Sequence, residues 1–200
     1  MEIILALCLG VTLSAASGFR LFLPPLAMSL ASLFGDLQLS SGFEWLGTYP
    51  AAIALGIATI VEILAYYVPV VDNLLDAIEI PTAVAIGTIL TAANLGDINP
   101  VLQWGLAAIA GGGTAGIIET FTAMTRAAST GMTGGTGNFL VATIEALSSG
   151  VLSILALTLP FLAAALVISL VIMALTKLPR FLAAKRRRRS SVSKKYHSKS

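Results

Sequence analysis

Charge is scarce in this sequence. Asp, Glu, Lys and Arg make up 11% of its 200 residues, hydrophobic types make up 56%, and mean hydropathy is +0.91. Soluble domains carry about 25% charged residues. Too few polar groups are present to cover a water-facing surface, so lipid is expected to cover it instead. Cysteine occurs once, at Cys8, which excludes an internal disulfide and a cysteine-based metal site. Histidine also occurs once, at His197, which removes histidine triads and histidine metal sites from the apolar body. There is no nucleophile elbow, and no glycine loop is followed by Lys-Ser/Thr. The chain is therefore expected not to be an enzyme and to need no cofactor or metal.

The charges that are present are segregated. All ten acids lie before residue 146, and only Arg20 and Arg126 accompany them, which leaves −8 on residues 1–176. The other ten basic residues, from Lys177 to Lys199, put +10 on the rest. A basic block directly after a long apolar helix is the positive-inside signature and predicts a cytoplasmic C-terminus. Nucleic acid is a rival partner for Arg186 to Arg189, but no folded or aromatic-interleaved module accompanies that run. Anionic lipid headgroups are the expected contact, and nucleic acid is not. Residues 179–200 thus read as a basic cytoplasmic tail, largely disordered, after a transmembrane helical domain over 1–178.

Prolines and glycines divide the body. Ile3 to Phe34 is apolar but interrupted at Ser17-Gly18-Phe19-Arg20 and at Pro24-Pro25. Each remaining piece falls short of the roughly 20 residues needed to cross hydrocarbon. Two half-helices with unwound backbone between them are predicted. A cleaved leader over residues 1–17 is disfavoured, because Glu2 stands where such a segment carries positive charge. Asp36 to Tyr49 reads as a loop with interfacial Phe43, Trp45 and Tyr49. Ala51 to Val68 reads as a span closed by Pro69, followed by a short interfacial helix over 72–79 and an apolar helix from Pro81 to Leu95. A helix from Val101 to Ala128 comes next, then a Gly/Thr-rich break at Thr130 to Asn138. A half-helix from Phe139 to Ser149 and a span from Val151 to Thr176 complete the body. The predicted class is all-α, a multi-pass transmembrane bundle with two broken or re-entrant helix regions.

The two breaks resemble each other. Leu13-Ser14-Ala15-Ala16-Ser17 precedes the first and Arg126-Ala127-Ala128-Ser129 the second, and Pro50/Pro69 have the separation of Pro160/Pro179. The first unit leads into acids and the second into bases, so an inverted repeat of 3–79 and 113–180 is a candidate.

Polar residues inside apolar helices are the candidate site. A carboxylate in hydrocarbon costs about 2.5–3.5 kcal/mol on insertion scales, so Glu62 needs a partner, a proton or water. Arg20, Glu62, Glu119, Arg126 and Glu145 are the candidate lining of a substrate or ion path, each arginine expected to pair with one of these carboxylates. Glu119 and Arg126 lie two turns apart, on one face but without direct contact expected. The N-termini of half-helices offer free N–H groups, which makes the breaks candidate binding or gating loops. The residues concerned are Ser17 and Gly18 at the first, and Thr133, Gly134, Gly135, Gly137 and Asn138 at the second. Gly111 to Gly116 reads instead as helix packing. Asp72 and Asp76, one turn apart, are the candidate cation contact, although such acids are ordinarily just solvated.

Several of these motifs, in order, resemble a family of bacterial membrane proteins known as domain of unknown function 4126. They are Ser14-Ala15-Ala16-Ser17-Gly18-Phe19-Arg20-Leu21-Phe22-Leu23-Pro24; then Glu62, Pro69, Asp72-Asn73-Leu74-Leu75-Asp76 and Pro81; then Ala110-Gly111-Gly112-Gly113, Arg126, Thr133 to Asn138 and Glu145. Together they span nearly all of residues 3–178. The chain departs from the pattern at Phe139, where the family commonly has proline, and at Tyr66-Tyr67, where it has an acidic-basic pair. The resemblance implies a multi-pass protein of the bacterial inner membrane and no established activity. The residues themselves favour a small transporter or channel for an ion or a small anionic or amphiphilic substrate. The alternative is a non-transporting scaffold or assembly factor with structural ion pairs. Either is compatible with a homo-oligomer among membrane lipids.

Overall fold

A computed structural model describes the backbone of residues 2–67, 69–96 and 98–176; the side chains of Glu2 and of residues 68–77 fall outside it. The basic tail and the carboxylates of Asp72 and Asp76 therefore lie outside the described residues. Among those residues the fold is all-helical, with no strand. The helices are α1 (Glu2–Ser17), α2 (Leu23–Phe34), α3 (Tyr49–Ala65), α4 (Pro69–Asn94), α5 (Pro100–Thr133), α6 (Asn138–Thr158) and α7 (Pro160–Thr176). By length and composition, α5 and α6 are long and apolar enough to cross a membrane.

The first interruption falls as its sequence predicts. α1 stops at Ser17, and α2 begins with prolines in its first turn, where a missing N–H costs nothing. α2 then runs back to the end from which α1 started: Asp36 to Ser40 line one pocket with Ile3, Leu5 and Leu9, and Ser40 bonds the carbonyls of Ala92 and Ala93 at the close of α4. The two helices form a hairpin whose tip, Gly18 to Phe22, is driven into the bundle. α1 packs on α4, α5 and α6, and α2 on α3 and α6.

Three boundaries differ from expectation. Pro81 does not start a helix; it sits inside the 26-residue α4, joining the predicted interfacial helix to the apolar one. The proline removes one backbone donor, and the helix runs on through it to a stretch packed against its neighbours, where Ala83 is buried and Gly87 meets Ser14, Gly111 and Ala115. α5 reaches Thr133 and carries a π-helical stretch at Ala107–Gly112, where Gly112 meets Val84 and Thr88 of α4. Gly116 also meets Val84, so these glycines serve close packing as read. Finally, Gly150 does not divide the last helices. α6 runs for 21 residues and ends at Thr158; Leu159 leaves the helical region (φ −137°, ψ 62°), from which a following proline such as Pro160 drives the residue before it.

The bundle is apolar outside and polar inside. Ile57, Val61, Leu64, Ile109, Ile144, Leu147, Ile154, Phe161 and Ile168 are exposed, while Arg20, Glu62, Glu79, Glu119, Arg126 and Glu145 are buried.

Candidate functional site

The hairpin tip ends among six charged side chains, none more than 6% exposed. Arg20 lies in the tip itself. Its Nη2 donates to the carbonyl of Ala142 at 2.8 Å and lies 3.3 Å from Oε2 of Glu145, both on α6. Arg126 on α5 reaches three carboxylates: Glu79 at 2.8 Å and Glu119 at 3.3 Å through Nη2, and Glu145 at 3.3 Å through Nε. Both arginines thus meet on Glu145.

Glu62 is used differently. Its two oxygens accept from the backbone N–H groups of Leu21 (2.7 Å) and Phe22 (3.0 Å). Those groups open α2, whose next turn has Pro24 and Pro25 and no side-chain cap of its own. A carboxylate from α3 therefore caps α2 across space, at the helix end where the dipole favours negative charge.

Tyr66, one turn beyond Glu62, brings its ring to both cations. The guanidinium carbon of Arg20 lies 3.9 Å from the ring centroid and that of Arg126 4.7 Å. A ring face attracts a cation, and this ring serves two. Next to it, the hydroxyls of Tyr67 and of Thr143 on α6 hydrogen-bond at 3.0 Å. Nε and Nη1 of Arg20 and the Tyr66 hydroxyl are buried and have no hydrogen-bond partner among the described residues.

The surrounding backbone is locked. Gly18 sits so close to α5 that a Cβ there would lie 2.6 Å from the carbonyl of Ala115 and 2.8 Å from Cβ of Ile118. Ser17 bonds the carbonyl of Ser14, and Ser149 of α6 bonds that of Ala16.

All five residues proposed for the path converge here. Of the loop residues, Ser17 and Gly18 belong to the tip, but Thr133, Gly134, Gly135 and Gly137 do not join them. They form the turn between α5 and α6, at least seven residues from Arg126 on one side and eight from Glu145 on the other, roughly 10 Å or more along each helix. Gly134 and Gly135 take positive φ (64° and 91°) with open space around them, and Gly137 N–H is held by the Thr133 hydroxyl. Asn138 is buried and bonds Thr130. The expectation that Glu119 and Arg126 do not touch is also corrected. A helical side chain leans towards the N-terminus, so the long Arg126 reaches back across two turns.

Sequence reasoning missed Glu79 and Tyr66. Glu79 follows Asp72 and Asp76 at i+7 and i+3, at the close of the predicted interfacial helix, and its place beside the apolar run is the available signal. Tyr66 shares a helix face with Glu62.

A profile of the family described as domain of unknown function DUF4126 matches residues 7–180. The chain belongs to that family. No curated protein and no solved structure matches it. In this DUF4126 chain the matched residues hold all six charges and the hairpin from Leu7 onward.

Proposed function

We propose that this chain is a multi-pass integral membrane protein of the bacterial inner membrane that transports an ion or a small anionic or amphiphilic substrate. The observation that carries the reading is the closed cluster of four carboxylates and two guanidiniums at the tip of a helical hairpin, inside a bundle whose outer face is apolar. Buried charges are expensive in hydrocarbon, and where they occur they usually mark ion or substrate pathways. Irregular backbone is tolerated at such depth only beside protein or a water-lined cavity, and the tip provides it. Nε and Nη1 of Arg20 and the Tyr66 hydroxyl, which lack a hydrogen-bond partner among the described residues, are the groups a passing substrate or water would meet.

Orientation follows from the basic tail. With residues 177–200 cytoplasmic, beside anionic headgroups, the α2–α3 loop faces outwards, because α7 runs away from that end of the bundle. Reporter fusions after Gln38 and after Ser200 should then report opposite sides. The reading needs no inverted repeat: α2 after the first break has 12 residues and α6 after the second has 21.

A scaffold is the second reading, and the cap that Glu62 places on α2 favours it. Flux in proteoliposomes separates the two. Arg20→Ala and Glu62→Gln should each lower flux at least tenfold while the protein still inserts. If wild type moves neither ions nor lipid, the transport reading is dropped. Failure of both variants to insert would favour the scaffold.

A further inference from the structure

The six charges match one another almost completely, and the one that is left over is informative. Arg20 faces Glu145. Glu62 faces no guanidinium at bonding distance, but its charge lies on two N–H groups at the start of α2, whose dipole opposes it. That leaves Arg126 between Glu79 and Glu119, both bound through the same Nη2, at 2.8 and 3.3 Å. Four buried carboxylates thus face two guanidiniums and one helix dipole, which leaves one negative charge unmatched at Glu79 and Glu119. A proton on either of the two removes it, and a protonated carboxyl, unlike a carboxylate, can donate to its neighbour. One proton on the pair would bring it and Arg126 to zero net charge.

We propose that Glu79 and Glu119 share one exchangeable proton and form the proton-handling element of the transport site described above. The inference rests on that reading for its role but not for its existence. Among the described residues the charged or titratable groups around the pair are Arg126 beside it on α5, Arg20 in the hairpin tip, Glu62 on α3, Tyr66 just after α3, and Glu145 on α6; the side chains of Asp72 and Asp76, earlier on α4, lie outside the described residues. None of the other carboxylates can replace either member, since Glu62 is held by backbone and Glu145 lies between the two arginines. When the proton leaves, the pair gains one negative charge beside Arg126, and Arg126 is the group that also holds Glu145. Proton loss at α4–α5 therefore pulls on the contact between α5 and α6. That link would let proton movement change the grip on the hairpin tip.

Infrared spectroscopy of the full chain in lipid reads the proton directly, through the carbonyl stretch of a protonated carboxylic acid and its shift in heavy water. Wild type should show this band, and Glu119→Gln and Glu79→Gln should each remove it. Both variants keep the shape of the side chain, and size-exclusion profiles in detergent establish that they fold. Vesicles loaded with a pH-sensitive dye and given a membrane potential supply the second arm. Proton entry should fall at least tenfold in Glu119→Gln. Absence of the band in wild type overturns the proposal without any variant. So does a band that survives in both glutamine variants, or proton entry unchanged in a folded Glu119→Gln. If the band is present and lost as stated but no solute or proton crosses, the shared proton is static. The exchange proposal then falls with the transport reading. Solute flux independent of pH, and equal in Glu119→Gln and wild type, sinks the proton role alone.

Discussion

The two breaks in this chain look alike in sequence and differ in almost every physical respect. Ser17 to Phe22 is largely buried, pressed against α5, and bonded by side chains of three helices, Glu62 of α3, Thr122 of α5 and Glu145 of α6. Thr133 to Asn138 is largely exposed and satisfies itself: Gly134 N–H bonds the carbonyl of Thr130, and Gly137 N–H bonds the Thr133 hydroxyl. The first uses glycine because another backbone is too close for a Cβ, the second because φ is positive. A break at the surface needs only local chemistry. A break in the interior needs partners from elsewhere, and those partners are the charged residues that make the site.

That contrast can be broken by experiment. The largest effect is expected for Arg126→Ala, which leaves Glu79, Glu119 and Glu145 facing one another without their shared cation. Removing one partner of a buried pair costs roughly 3–5 kcal/mol, read as a fall in unfolding midpoint in detergent. Arg126→Lys should recover only part of it, since one ammonium cannot reproduce the fork that reaches three carboxylates. Gly18→Val comes next, at about 1–3 kcal/mol from overpacking against Ala115 and Ile118. Gly134→Ala, its counterpart at the second break, should cost only about 1 kcal/mol from the left-handed backbone. Should the two glycine variants cost the same, depth is not what separates the breaks.

Smaller effects sharpen the picture. Glu62→Gln keeps one acceptor oxygen but loses the charge that faces the helix dipole, worth about 1–2 kcal/mol in a buried site. Tyr66→Leu removes the ring that meets both arginines, for about 2 kcal/mol at a desolvated cation–π contact. Tyr66→Phe keeps the ring, and because the hydroxyl has no hydrogen-bond partner among the described residues it should leave stability within about 0.5 kcal/mol of wild type. A Phe variant as damaged as the Leu variant would show that the hydroxyl, not the ring, is what matters, through a water or a substrate.

Much of the fold was legible because its signals are local. The prolines and glycine around residue 20 gave the first break within a residue or two, and the scarcity of charge gave the apolar exterior. Pro81 misled because a proline signals a missing donor at its own position, while continuation of the helix depends on what packs around it. Gly150 was read as a boundary, although a glycine weakens a helix without ending it; Pro160, which constrains the residue before it, was the true stop.

Composition and order alone determined that two arginines share the apolar body with several carboxylates and must find them, since an unpaired charge in an apolar interior is too costly to persist. They did not determine which carboxylates. Glu79 stands 47 residues from Arg126 and Glu145 stands 125 residues from Arg20, and no periodicity carries information over such distances. Only the packing of α4, α5 and α6 around the hairpin tip decided that Glu79 turns inward, that Tyr66 meets two cations, and that Glu62 caps a helix instead of joining a guanidinium. Hydrophobic pattern sets which residues are inside; close packing of particular helices sets which of them touch.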